Sequence, residues 1–131
     1  MKKSLPLLVA ASFAFAFASN ASAMTKEEHK AQNDSISATY KADKERCSSM
    51  SGNAKDICNA EAKGKAKVAK AELEAQFKPS PKATAKVTEA KADATYDVAK
   101  EKCDDLAGNA KDACQKEAKA AHASAKVGAK G

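Results

Sequence analysis

The sequence predicts an all-α protein: two tandem αα-hairpins, each stapled by a disulfide, in an extended or four-helix arrangement. Three observations carry that prediction. A stretch bounded by two cysteines occurs twice. A Gly-Asn pair sits at the centre of each copy. The remainder is dominated by alanine, lysine and glutamate, with few bulky apolar residues.

The first copy runs from Cys47 to Cys58 and the second, 56 residues on, from Cys103 to Cys114. The midpoint of the first falls between Gly52 and Asn53, that of the second between Gly108 and Asn109. Glycine takes left-handed angles without a Cβ clash and is favoured just past a helix end. Asparagine is a favoured N-cap, and Asp56 and Asp112 would then stand in the first turn, near the positive helix end. Gly-Asn therefore reads as one helix stopping and the next starting. So short a connection makes the helices antiparallel neighbours. Residues whose numbers sum to 105 then face each other in the first copy, and to 217 in the second. Both cysteine pairs satisfy the rule.

The rival geometry is an unbroken helix through each copy. Eleven residues would then separate the cysteines by roughly 16 Å, beyond the roughly 7 Å between Cα atoms that a disulfide tolerates. Cys47–Cys114 and Cys58–Cys103 would instead bridge two antiparallel helices. Gly-Asn is costly inside a helix, which favours pairing within each copy.

Residues 1–23 read as a secretory signal: Lys2 and Lys3, an apolar run from Leu5 to Ala18, then the small-residue site Ala21-Ser22-Ala23. The run is short for a membrane span. Cleavage after Ala23 lowers the net charge from +6 to +4. An even cysteine count in an exported chain argues for disulfides and for the periplasm.

Beyond residue 23 only 13 residues are Val, Ile, Leu, Met, Phe or Tyr, against 25 alanines. That is too few for a thick core. Ala, Lys and Glu are strong helix formers, so the composition favours locally stable helices meeting along thin seams, with disulfides as a supplement.

Residues 24–78 form the first predicted repeat. The stretch to about Gln32 is polar and reads as frayed, with a helix from Asp34. Ile36, Tyr40, Asp43, Cys47 and Met50 follow four-three spacing, the seam of a paired helix. The next stripe is Ala54, Ile57, Cys58, Ala62, Val68 or Ala69, Leu73 and Phe77, with Glu61–Lys65 and Glu74–Lys78 as i,i+4 pairs on the wet face. Residues 79–81, Pro-Ser-Pro, form the linker. Residues 82–131 form the second repeat, with a helix from Lys82 or Ala83 (stripe Ala85, Ala92, Tyr96, Ala99, Cys103, Leu106) and another from Asn109 fading near Val127.

Residues 38–63 and 94–119 align without a gap and are identical at 15 of 26 positions, which reads as tandem duplication. The pattern Ala-Thr-Tyr, Lys-Glu-x-Cys, Gly-Asn-Ala-Lys-Asp-x-Cys, Glu-Ala-Lys resembles a group of small Ala/Lys-rich exported proteins of Gram-negative bacteria, some labelled TolA-like or cell-envelope proteins. The resemblance implies an envelope location and a helical form. It carries over no catalytic residue.

The residues exclude several chemistries. Cys-x₁₀-Cys with His29 and His122 fits no zinc-module spacing, and it lacks the Cys-x-x-Cys of dithiol oxidoreductases. Both histidines lie in polar surroundings and read as solvated. No nucleophile elbow, phosphate-binding glycine loop or apolar carboxylate pair occurs. Asp104 and Asp105 read as partners for nearby lysines. No catalytic residue, cofactor or metal is expected. Lysines are interleaved with acids and three aromatics remain after cleavage, so no nucleic-acid platform emerges. The run Lys63, Lys65, Lys67 and Lys70 allows at most weak contact with anionic lipid or lipopolysaccharide. The expected function is a non-enzymatic envelope protein that presents helical surface to a partner protein or to itself. The alternatives are a peripheral binder of anionic surfaces and a thiol-responsive, chaperone-like protein.

Overall fold

The computed structural model describes residues 23–130. The predicted signal, residues 1–23, lies outside them except for Ala23. Four helices follow one another: α1 (Lys26–Ser48), α2 (Gly52–Phe77), α3 (Pro81–Cys103) and α4 (Gly108–Ala129). No strand occurs among the described residues, and none of their helices is long and apolar enough to cross a membrane.

The first helix begins eight residues earlier than the polar stretch suggested, at Lys26 rather than Asp34. Thr25 starts it with a capping box. Its hydroxyl accepts from the Glu28 N–H at 3.1 Å, and the Glu28 carboxylate accepts from the Thr25 N–H at 2.8 Å. Two otherwise orphaned donors are thereby satisfied, and Glu27 and Glu28 stand at the positive end.

The Pro-Ser-Pro turn is narrower than the predicted linker. Ser80 is the N-cap of α3, its hydroxyl accepting from the Ala83 N–H at 3.0 Å, and Pro81 is the first helical residue. Proline suits that position because its missing N–H would have no partner there anyway.

The disulfides pair within each copy: Cys47–Cys58 with Cα atoms 5.5 Å apart, and Cys103–Cys114 at 5.6 Å. The glycines turn the chain at both tips, with φ of 59° at Gly52 and 56° at Gly108. Their placement corrects the expected caps. α1 closes at Ser48 and α3 at Cys103, and each glycine opens the following helix instead of ending the preceding one. Asn53 and Asn109 lie inside α2 and α4, whose N-cap positions are Ser51 and Ala107, with no side-chain cap bond. The returning helix starts early and its first turn overlaps the connecting residues. The pairing rule therefore holds although the reversal precedes Gly-Asn. A Cβ at either glycine meets no atom within 4 Å, so only backbone strain opposes substitution. Gly52→Ala is expected to cost about 1 kcal/mol, read by chemical denaturation.

Each helix packs only on its sequence neighbours, most extensively α2 on α3. Within α2, Ala62 turns toward α1 and Gly64 toward α3. Two residues on a helix are about 200° apart, so α1 and α3 flank α2 on opposite sides. Ala94 and Tyr96 do the same in α3, toward α2 and α4. The result is a single layer of four antiparallel helices with two broad open faces. Both stapled tips lie at the same end.

The seams are thin, as composition requires. Cys47, Ala62, Leu73, Ala90, Ala92 and Cys103 are the buried apolar residues among those described. Met50 and Leu106, expected in the seams, are instead exposed at the two tips, because the chain leaves the helical stripe where it turns.

Candidate functional site

The joint between the two hairpins is the most elaborated part of the molecule. At its centre Gly64 lets α2 and α3 approach closely: a Cβ there would stand 2.9 Å from the Ala94 Cβ. At the tip end the Asn53 side-chain amide donates to the Glu101 carbonyl at 2.6 Å. It is a second donor to that carbonyl, in the last turn of α3, which also accepts from the Asp104 N–H at 3.1 Å. The residue expected to cap its own helix thus serves the neighbouring one.

Asp93 links three helices. Its carboxylate accepts from Lys67 Nζ of α2 at 2.6 Å and from a ring N–H of His122 of α4 at 2.7 Å, with Lys126 at 3.5 Å. The hydrogen bond from Lys67, then that from His122, holds its carboxyl well below the ordinary value of 3.8. A depressed carboxyl pKa contributes stability in full above the unfolded value, and that contribution is lost as pH falls toward the folded one. Asp93→Asn is therefore expected to cost about 1–2 kcal/mol at neutral pH. The difference from wild type should narrow below about pH 3, as followed by helical circular dichroism during urea unfolding at several pH values.

The histidines are half-buried against aromatic rings rather than free in solvent. His122 stacks on Tyr96 with ring centroids 4.6 Å apart. His29 stacks on Phe77 at 4.4 Å and meets Glu74 at 2.6 Å. Each hairpin so has a histidine–carboxylate–aromatic contact across its seam, away from the disulfide. The two sets do not occupy equivalent repeat positions, so nothing in the duplicated motif signalled them. Glu74 consequently pairs with His29 rather than with Lys78, which lies over Phe77 at 5.5 Å. Tyr40 and Tyr96, which are equivalent, carry Lys44 and Lys100 at the same 5.7 Å. Asp104 meets Lys111 at 2.9 Å.

Three lysines of the run, Lys63, Lys67 and Lys70, share one face of α2 at i, i+4, i+7 spacing, and Lys65 does not. Lys63 borders a hollow with Tyr40 and Lys44, Lys65 lies on the opposite face, and Lys67 is engaged by Asp93. Among the described residues no group of three or more His, Cys, Asp or Glu is placed to hold a metal.

One face of the joint is an open groove of about 800 Å³ between α2 and α3. Gly64, Val68, Ala69, Ala94, Val98 and Ala99 line its floor, and Glu61, Lys65, Glu72, Lys91 and Lys102 border it. Lys91 pairs with Glu72 at 2.8 Å. Small floor residues leave a broad trough rather than an enclosed pocket. Its geometry suits a long ridge of side chains better than a small molecule.

No family model, curated protein or solved structure matches the chain.

Proposed function

We propose that the chain is a non-enzymatic helical protein of the periplasm or cell envelope that works by presenting helix surface to a partner protein. The observation that carries this reading is the single helical layer with its open α2–α3 groove. Helices ordinarily bury an apolar stripe against a second layer, and here Val68, Ala69, Val98 and Ala99 line a groove open to the outside. The two disulfides fit an oxidising, non-cytoplasmic environment. The signal-like residues 1–23 and the resemblance to Ala/Lys-rich envelope proteins support the periplasm.

The two alternatives receive less support. Lys65 stands apart from Lys63, Lys67 and Lys70, and Lys67 is already held by Asp93, which weakens a flat anionic-surface contact. Each disulfide joins a buried cysteine, Cys47 or Cys103, to a half-buried one, Cys58 or Cys114, which restricts attack by reductants to one sulfur.

A photo-crosslinking amino acid placed at Thr95, an exposed groove residue, tests the reading in intact cells. The expected result is a discrete cross-linked product in the envelope fraction. Uncross-linked protein alone would count against it.

A further inference from the structure

We infer that the α2–α3 groove is the docking surface for a second copy of this chain. The inference rests on the surface-presenting reading and names its partner. It is carried by the pattern of charge along the groove.

The charged residues bordering the groove fall into two cross-groove pairs with numbers summing to 163, Glu61 with Lys102 and Glu72 with Lys91. The Glu72 carboxylate meets Lys91 Nζ at 2.8 Å at one end, and Glu61 and Lys102, each about three helical turns away, stand in the same relation at the other. Between them lie Lys65, Val68, Thr95 and Val98, with Gly64 directly against Ala94. Each helix therefore offers one sign of charge at both ends of the groove: acidic on α2, basic on α3.

Two copies can meet face to face about a two-fold axis in two ways. With the axis along the helices, α2 of one copy lies over α3 of the other at the same height. Glu61 and Glu72 then meet Lys102 and Lys91 of the second copy at both ends. Val68 and Val98 of both copies then face the shared interior, and the Lys65 stem covers the apolar floor. With the axis across the helices, α2 lies over α2. Glu61 then meets Glu72, and Lys91 meets Lys102, so like charges oppose throughout. Complementarity selects the first arrangement and fixes its register.

The groove itself, from Glu61 to Glu72, is about 17 Å long and about 18–20 Å wide, so it buries about 600–700 Å² in a pair of copies. The roughly 1,200 Å² of a stable interface is reached when the flanking parts of the same open face join the contact. Pairing also supplies the second layer that the fold lacks.

The test is sedimentation equilibrium of the purified, oxidised protein. Wild type is expected to be dimeric. Glu61→Lys/Glu72→Lys makes both helices basic along the groove, and Lys91→Glu/Lys102→Glu makes both acidic. Each variant alone is expected to be monomeric with unchanged helicity, and their mixture to form a 1:1 heterodimer. If either variant loses helicity, Val98→Asp reads the same surface and is expected to be monomeric. A monomeric wild type, or a dimer indifferent to these substitutions, overturns the inference. Should a monomeric wild type still cross-link from Thr95 to a different envelope protein, self-pairing falls while the surface-presenting reading stands.

Discussion

Replacing Cys47 and Cys58 together by serine is expected to destabilise the oxidised protein by about 3 kcal/mol. For a domain of this size that corresponds to a fall in Tm of more than about 10 °C, measured by thermal circular dichroism. The size of the effect follows from the composition. The seam between α1 and α2 has few bulky residues, so little else opposes fraying at the tip. The disulfide also restricts the unfolded chain, and the restriction vanishes with the bond. The equivalent pair Cys103 and Cys114 should behave alike. Peptide mapping without reduction should recover only links within each copy. A change under about 1 kcal/mol would show that local helix propensity, rather than covalent closure, holds the tips together.

Gly64→Leu is expected to destabilise the protein by about 2 kcal/mol, and its sign is diagnostic. On propensity alone, leucine in place of a mid-helix glycine stabilises by nearly 1 kcal/mol. Only the Ala94 Cβ, 2.9 Å from where the new Cβ must stand, reverses that gain. Separating α2 from α3 also strains the Asn53–Glu101 and Lys67–Asp93 bonds. Gly128→Ala is the control. Nothing lies within 4 Å of that position, so no loss is expected there. Urea unfolding of the two variants decides the point, and a stabilised Gly64→Leu would show that the helices do not approach closely here.

The fold was legible where local chemistry is decisive. Repeated cysteines about a Gly-Asn centre announced two hairpins, because only a reversal brings residues eleven apart within bonding distance. Helix starts were less legible. Thr25 and Glu28 form a standard capping box, yet the polar stretch around them resembles a frayed end. The cap assigned to Asn53 failed for a different reason. An asparagine near a helix start satisfies any nearby acceptor, and the nearest belongs to α3.

The candidate site was less legible still. Ala94 and Gly64 are ordinary small residues in a low-complexity background, and His29 and His122 sit outside the duplicated motif. Their roles arise from neighbours 26 to 45 positions away. The stripe leaves open whether Val68 or Ala69 faces α1. Ala69 borders α1 and Val68 the open groove, a choice that neighbouring positions in a helix this rich in alanine do not settle.

The amino-acid sequence by itself determined four helices, two covalently closed hairpins and seams too thin for a conventional core. Helix propensity, glycine geometry and disulfide reach all act over short stretches of chain, so residue order suffices to read them. Tertiary structure alone decided that the hairpins join through α2 and α3 into one layer, that Asp93 bridges three helices, and that an open groove with paired charges results. Those features depend on which face of each helix meets which neighbour. Alanine-rich helices are nearly alike on every side, so only packing distinguishes their faces.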